Sequence, residues 1–365
     1  MTRLPLRARS PRRSTLLAAA AAAALATACG APPGAGDDVG DDGADAGVDP
    51  ARALDRCAAA GVDLVEAWDV DNLHGPIVAM AAAGDGTVLL ATADGAVKQW
   101  SLGTSVDQAP LPGGRPSYGT PLTEAGAVVA ALAVADGAAA GVLGADAAGA
   151  LRRWTLPDGG ELPSRVVTTE PLTAIAAVGA AAIVADASFG GAMRVIPLDG
   201  GAAGAPFETT LWGVTSLRRG VGGLYVGGHD YGMAAIERRD PGAPAAVADL
   251  WDPLTVEGWV RGLAAASTGD LAAVGDAWLL VLDGGDLAAG PRARLDQPVR
   301  AAAWTASGAY LAVAVDGRVT LWDRDLVAEV AGFDVPDPVA LAVDPSGERL
   351  IVASGDGHLR ALSCR

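Results

Sequence analysis

Seven copies of one strand motif, the alternation of apolar residues within each copy and the near-regular spacing of the copies predict an all-β fold, a seven-bladed β-propeller of four-stranded antiparallel blades. The clearest copy spans residues 309–324, where Tyr310–Val315 and Arg318–Trp322 alternate with period two on either side of Asp316-Gly317. Asp-Gly between two such segments is a strong hairpin signal, because glycine accepts the positive φ of a tight turn. A single hairpin is marginal in water, so it must belong to a larger sheet.

The copies recur at intervals typical of propeller blades. The positions equivalent to Trp322 are Trp100, Trp154, Ile196, Glu237, Leu282 and Leu362. The seven positions are separated by 54, 42, 41, 45, 40 and 40 residues in turn. Units of about 40 to 45 residues with four strands each indicate a propeller. An insertion rich in glycine and proline, residues 103–126, accounts for the first and longest interval.

Each unit also contains a strand before the hairpin and one after it. Upstream strands are predicted at Ile77–Ala82, Leu172–Val178, Val299–Thr305 and Val339–Val343, and a downstream strand at Leu326–Ala331. Four strands in each of seven units complete the predicted architecture.

The N-terminal part of the chain predicts export. Residues 1–28 contain five arginines, then an apolar run from Leu16 to Leu25, then the cleavage sequence Ala26-Thr27-Ala28, which are the three parts of a signal peptide. Residues 29–61 carry six aspartates between positions 37 and 49 and are predicted to form an acidic, disordered tether, because such a segment buries too little apolar surface to offset its ordering entropy. The propeller is expected to occupy residues 62–365.

Cleavage after Ala28 would make Cys29 the first residue of the mature chain. This arrangement resembles the lipobox of bacterial lipoproteins, which implies acylation of Cys29 and a lipid anchor in the cell envelope, the outer membrane being the expected one. Ala26 stands where lipoproteins usually have leucine, and Ala26-Thr27-Ala28 also fits an ordinary cleavage site that would release a secreted protein. Either alternative places the mature protein outside the cytoplasm.

Blade one contains the residues of a known repeat family. His74-Gly75, Thr92, Asp94 and Trp100 fall near the positions of a hydrogen-bonding set, and over residues 62–365 the chain resembles a WD-repeat propeller. The resemblance implies a structural role for His74, Thr92, Asp94 and Trp100. It implies no particular function, because this fold carries many unrelated ones.

The last blade ends at the C-terminus without an outer strand of its own. Leu64–Val70 is a strand without a blade, and we expect it to complete blade seven and close the ring, as in the propellers that the chain resembles. With Cys29 acylated, Cys57 and Cys364 remain at the two ends of this closure. An even pair outside the cytoplasm predicts a disulfide, the alternative being two independent thiols.

Charge argues against a nucleic-acid partner. Lys and Arg number 26 against 43 Asp and Glu, a net charge of −17, and removal of residues 1–28 with their five arginines takes it to −22. Binding to phosphates requires a Lys/Arg surface that such a chain lacks.

The sequence contains no motif that indicates catalysis, a metal site or a cofactor. His74, His229 and His358 are the only histidines, and none forms an H-x-H or H-E-x-x-H pattern. An aspartate recurs at one position in the hairpin turns of several blades. Together these aspartates could form a ring of acids around the central channel of the propeller, but a role in forming the turns is the favoured interpretation. These aspartates are Asp94, Asp230, Asp276, Asp316 and Asp356.

Candidate binding residues lie near the connections that enter blades four and five. Aromatic side chains at loop positions often anchor partners, and five residues are proposed on this ground: Trp212, His229, Tyr231, Trp251 and Trp259. Packing between blades is the alternative for the three tryptophans. The sequence therefore favours a non-catalytic, monomeric propeller that binds a protein or cell-surface partner. The alternatives are an enzyme or small-ligand binder that uses the central channel, and an accessory protein resembling the propeller lipoprotein of the outer-membrane barrel machinery.

Overall fold

The computed structural model describes residues 53–72, 75–83, 86–102, 111–112, 120–123, 127–135, 141–156, 160–188, 190–251 and 256–364. The predicted signal peptide, Cys29, most of the tether and His74 lie outside the described residues. No helix in these ranges is long and apolar enough to cross a membrane.

The predicted all-β architecture is confirmed: the described strands form seven antiparallel sheets, one for each blade. Helix α1 (Ala53–Ala60) and strand β1 (Val65–Asp71) precede blade one. Blade one contains β2 (Ile77–Ala82), β3 (Thr87–Thr92), β4 (Val97–Ser101), β5 (Leu111–Pro112) and β6 (Thr120–Thr123). Blade two contains β7 (Val129–Ala135), β8 (Gly141–Asp146), β9 (Ala150–Thr155) and β10 (Glu161–Val166).

The remaining blades follow in chain order. Blade three contains β11 (Leu172–Val178), β12 (Ala181–Asp186) and β13 (Met193–Pro197), and blade four β14 (Gly213–Gly220), β15 (Gly223–Asp230), β16 (Met233–Arg239) and β17 (Val247–Trp251). Blade five contains β18 (Val260–Ala265), β19 (Asp270–Gly275), β20 (Trp278–Asp283) and β21 (Ala289–Arg294). Blade six contains β22 (Val299–Trp304), β23 (Tyr310–Val315), β24 (Arg318–Asp323) and β25 (Glu329–Asp334), and blade seven β26 (Pro338–Val343), β27 (Arg349–Ser354) and β28 (His358–Ser363).

The number of strands departs from four in two blades. In blade one, β5 and β6 come from the inserted segment and both pair with β4. In blade three the outer strand is reduced to a single bridge between Met193 and Phe207, because the segment that follows β13 is rich in glycine and proline and cannot sustain a ladder.

The hydrophobic core lies between the blades. The described residues form seven apolar clusters, and each cluster is shared by two neighbouring blades, including blades seven and one. The second strands β3, β8, β19 and β27 are buried along their whole length, because both of their faces pack against a neighbour. A blade thus buries its two faces only when both neighbours are present.

Ring closure follows the prediction. Strand β1 pairs antiparallel with β28, from Val65 opposite Ser363 to Asp71 opposite His358, and supplies the outer strand of blade seven. At the end of β1, the Asn72 side chain donates to the carbonyl oxygens of Gly75 (3.1 Å) and Gly357, and Lys98 of blade one donates to the Asn72 carbonyl oxygen. Burial lowers the pKa of Lys98 to about 8, against smaller opposing effects of Asp94 and Asp71.

The described structure includes a helix before the predicted domain boundary at residue 62. Helix α1 lies within the stretch assigned to the tether, and its residues Leu54, Cys57 and Ala58 are buried against blades six and seven. These apolar side chains supply the burial that the aspartate-rich segment lacks. Cys57 and Cys364 form a disulfide with a Cα–Cα distance of 5.7 Å, within the usual range.

Loss of this disulfide should destabilise the ring. It joins residues separated by 307 positions, and the chain-entropy argument gives about 6 kcal/mol for such a loop, whereas removal of native disulfides from small secreted domains typically costs about 2 to 5 kcal/mol. We expect the double variant Cys57→Ser/Cys364→Ser to unfold at a lower urea concentration than the wild type. Dithiothreitol should lower the urea concentration at the unfolding midpoint of the wild type and leave that of the variant unchanged. Equal midpoints for the wild type and the variant without dithiothreitol would contradict the expectation.

All seven inner strands carry a β-bulge at the same position. The register shifts after the first residue of the ladder, or after the second in β14, for example between Ile77 and Ala79 and between Val299 and Ala301. The other five shifts occupy the same position in β7, β11, β14, β18 and β26. The bulges lie at the face of the ring that carries the turns between the second and third strands of each blade, and we call this the upper face. The opposite face, which carries the turns between the first and second strands, is called the lower face.

Candidate binding surface on blades four and five

Four of the predicted binding residues meet at the upper face. Trp212 precedes β14, His229 lies near the end of β15, Tyr231 forms the turn between β15 and β16, and Trp259 precedes β18. We refer to Trp212, His229, Tyr231 and Trp259 as the aromatic patch. Because β14 and β18 are neighbouring inner strands, residues at their beginnings lie side by side.

The rings of the patch are paired. The ring centroids of Trp212 and Tyr231 are 3.8 Å apart with a tilt of 50°, and those of His229 and Trp259 are 4.1 Å apart and stacked at 20°. Tyr231 is 72% exposed and Trp259 40% exposed, both unusual for large aromatic side chains. The arrangement gives a rigid aromatic surface that is open to solvent.

The backbone of Tyr231 is in the left-handed region, with φ of 49°. Asp230 pairs with Met233, so Tyr231 and Gly232 form a two-residue hairpin turn, as Asp316 and Gly317 do in blade six. Such turns favour Asp, Asn or Gly, and another residue there costs about 1 kcal/mol. The strained tyrosine is therefore poorly explained by the fold and points to a role for its exposed side chain.

His229 is positioned by close packing. Its Nε2 would lie 2.8 Å from a Cβ added at Gly213, so the ring fits there only over a glycine. Burial lowers the pKa of His229, against a smaller opposing effect of the Asp230 carboxylate. Its buried Nδ1 has no hydrogen-bond partner among the described residues.

Two arginine–aspartate pairs extend the surface around the ring. The Arg261 guanidinium lies 5.4 Å from the ring centre of Trp259, and Arg261 Nε donates to Asp276 Oδ1 at 2.8 Å. Arg300 repeats this arrangement in the next blade with Asp316, at 2.9 Å. Each arginine is the bulge residue of its inner strand and each aspartate lies in the turn of the same blade.

A buried ion pair supports the irregular connection that leads to Trp212. Glu237 and Arg239 are fully buried and their side chains pair, with Arg239 Nε 2.7 Å from Glu237 Oε2. Glu237 also accepts from the backbone nitrogen and hydroxyl of Thr210, both at 2.5 Å, and Arg239 donates to the carbonyl oxygens of Pro244 and Glu208. Glu237 stands at the repeat position that is tryptophan in blades one, two and six, and in blade four it fixes the segment before Trp212.

Removal of one member of this pair should be costly. The Arg239→Met variant leaves the Glu237 carboxylate buried without its cation, and we expect a loss of about 3 to 5 kcal/mol in the free energy of unfolding. The surface pair Arg318–Glu329, with its side chains 46% and 38% exposed, is the matched control, and Arg318→Met should cost less than about 1 kcal/mol. Urea unfolding checks both values, and similar losses for the two variants would contradict the role assigned to the buried pair.

The structure places Trp251 outside the patch. Trp251 is 9% exposed and belongs to the core shared by blades four and five, with its ring centre 6.4 Å from that of Trp278. It ends β17, an outer strand whose inner face packs on the blade. Trp251 is therefore a packing residue rather than a surface anchor.

The predicted structural set of blade one is described in part. Thr92 Oγ1 donates to Asp94 Oδ1 at 2.5 Å, and Asp94 accepts from the backbone nitrogen of Ala96 at 3.1 Å, which closes the turn. Trp100 is 1% exposed and its Nε1 has no partner in the described part of the chain. His74 lies outside it.

The turn aspartates do not converge. Asp276, Asp316 and Asp356 pair with arginines, and Asp94 and Asp356 accept hydrogen bonds from the backbone of their own turns. His358 Nδ1 lies 2.7 Å from Asp69 Oδ1 of the closing strand, remote from His229 in blade four. Within the described ranges, no group of three or more His, Cys, Asp or Glu side chains could hold a metal ion.

Sequence inspection missed the arginines and the ion pair of this surface. Arg261 and Arg300 occupy the same place in two successive units and are followed 15 and 16 residues later by Asp276 and Asp316, which is a detectable signal. The pairing of Glu237 with Arg239 gives a weaker one, because charged residues two positions apart in a strand are common at surfaces.

Comparisons with known proteins agree with the fold. The sequence profile described as "WD domain, G-beta repeat" matches residues 291–323, which span β22 to β24 of blade six. No curated protein matches the chain in sequence. Among 1681 similar chains of solved structures, one from the "Crystal Structure of Mitotic Checkpoint Complex" superposes with a TM-score of 0.66 at 11% identity, covering 82% of this chain and 91% of that one. At this identity the similarity concerns the fold alone.

Proposed function

We propose that this protein is a non-catalytic propeller of the cell envelope that binds a protein partner through the aromatic patch. The observation that carries the proposal is Tyr231, an exposed aromatic residue held in a strained turn with its ring in tilted contact with that of Trp212. Rigid aromatic side chains lose little conformational entropy on binding and dominate many protein interfaces.

The chemistry of the surface favours a protein over a small molecule. The patch and the pairs Arg261–Asp276 and Arg300–Asp316 extend over three blades of one face. Aromatic residues surrounded by charged groups of both signs are typical of the centre and the rim of a protein interface. Tight shape complementarity to a small ligand would instead require a concave pocket.

An extracytoplasmic location agrees with several independent features. Residues 1–28 have the organisation of a signal peptide, and the pair Cys57–Cys364 forms a disulfide, a bond that persists in oxidising compartments. Cys29 at the expected cleavage point would carry a lipid anchor, and the aspartate-rich segment after it would serve as a spacer between the membrane and the propeller.

Site-specific crosslinking in the producing cell tests the binding surface. With p-benzoylphenylalanine at position 231, we expect a defined adduct with one protein, and Trp259→Ala in the same chain should reduce its yield at least about tenfold, the size of a hot-spot loss. Val327, an 80% exposed residue in a lower-face turn of blade six, is the matched control position. The same adduct from position 327, or an adduct unaffected by Trp259→Ala, would contradict the proposal.

Fractionation tests the anchor separately. We expect the wild type in the membrane fraction and the Cys29→Ser variant in the soluble extracytoplasmic fraction, because a single cysteine would carry the acyl chains. Cys57→Ser/Cys364→Ser is the control that should remain with the membrane. Recovery of the wild type in the soluble fraction would favour plain secretion and leave the binding surface untouched.

A further inference from the structure

A cavity of about 880 Å³ occupies the centre of the ring and is lined by residues of all seven inner strands. Its lining runs from the middle of these strands to the turns of the lower face, such as Ser267 and Ala306. The aromatic patch lies at the opposite, upper face, so the cavity is a separate feature. Its volume is within the range of small-molecule sites.

One position of the lining breaks the repeat. The third residue after the bulge residue of each inner strand lines the cavity, and in six blades it is alanine: Ala81, Ala133, Ala176, Ala264, Ala303 and Ala342. In blade four the same position is Arg218, followed by Arg219, which also lines the cavity. The residue before Arg218 is Leu217, so the inner strand keeps its apolar contact with blade three.

The guanidinium of Arg218 has no protein partner among the described residues. None of them forms an ion pair or hydrogen bond with its side chain, and the surroundings lower the pKa of Arg218 through desolvation alone. The side chain remains open to the space in the cavity. Arginine stays protonated in proteins, so an unpaired positive charge is held inside the ring.

The cavity contains no free acid to neutralise this charge within the described lining. Asp344 is the one carboxylate there, and it is 3% exposed and bound to Arg349 at 2.8 Å. The lining is thus positively charged in a protein whose net charge is −17. Alanine fills the equivalent position in the other six blades, so the fold does not require a cation there.

We propose that the central cavity binds a small organic carboxylate, with the carboxylate on the Arg218 guanidinium and the apolar body of the ligand against the alanine and leucine walls. A guanidinium matches a carboxylate with two parallel hydrogen bonds, and Arg219 adds a second positive charge beside it. The walls, which include Leu132, Leu263 and Leu341, offer apolar contact.

A free phosphate fits the lining less well. The hydroxyl of Thr305 is already within hydrogen-bond distance of Ser307 and the nitrogen of Tyr310, so it is not available to a phosphate oxygen. An inorganic ion has no apolar surface to bury against the walls, whereas the hydrocarbon body of an organic carboxylate is stabilised by burial there.

Calorimetric titration of the purified protein tests the site, with octanoate and benzoate as probes. We expect saturable binding of at least one probe, no comparable binding of octanol, benzyl alcohol or inorganic phosphate, and binding about 10- to 100-fold weaker in Arg218→Ala, the usual range for a lost charge-assisted hydrogen bond. Arg218→Ala introduces the residue of the other six blades. Arg300→Ala, at the upper face, is the control that should bind like the wild type.

Thermal unfolding gives an independent readout. Without ligand, Arg218→Ala should melt at or above the temperature of the wild type, because an unpaired cation is removed; octanoate or benzoate should raise the wild-type melting temperature and leave the variant unchanged. A lower melting temperature of the unliganded variant would assign Arg218 a structural role and overturn the proposal. So would equal affinities of wild type and variant, failure of both carboxylates to bind, or preferential binding of phosphate.

Discussion

Packing between neighbouring blades is the interaction on which the whole structure depends. Each of the seven apolar clusters belongs to two blades, so the blades are stable only as a closed ring. Closure in turn depends on β1, which completes blade seven from the other end of the chain. The helix before β1, its disulfide to Cys364 and the contacts of Asn72 and Lys98 all hold this one joint.

Blade four keeps the packing of the other blades but contains most of the residues that depart from the repeat. Its inner face carries Arg218 where other blades have alanine, its turn carries Tyr231 where blade six has aspartate, and its third strand carries Glu237 where a tryptophan is expected. The core contacts of the blade are maintained by other residues, such as Leu217 and Ile236. Departures from the repeat therefore occur where the fold does not require a particular side chain, or where a compensating partner such as Arg239 is present.

The repeat pattern was sufficient to predict the ring, the strand order and the closing strand. Period-two alternation and the spacing of the hairpins are local signals, and the unpaired edge of blade seven requires one added strand.

Helix α1 was not predicted, because only the folded ring shows that Leu54 and Cys57 pack against blades six and seven. The aromatic patch was predicted from composition near the connections, yet Trp251 was wrongly included, since one strand position decides whether a tryptophan faces the core or the solvent. Arg218 was overlooked because an arginine in a strand usually lies at the surface, and only the alignment of all seven inner strands shows what it replaces.

The seven bulges have a consequence for how this surface can change over evolution. Each bulge residue lies at the upper rim. Four of the seven are exposed, whereas Val339 packs against the core between blades seven and one, and Thr173 and Thr215 donate hydrogen bonds to backbone oxygens of the next blade. In this chain the seven bulge residues form three successive arcs, of valine and alanine (Val339, Val78, Ala130), of threonine (Thr173, Thr215) and of arginine (Arg261, Arg300). A gene duplication followed by changes at the codons of the four exposed bulge residues, Val78, Ala130, Arg261 and Arg300, could alter what the rim recognises while the contacts between blades stay in place.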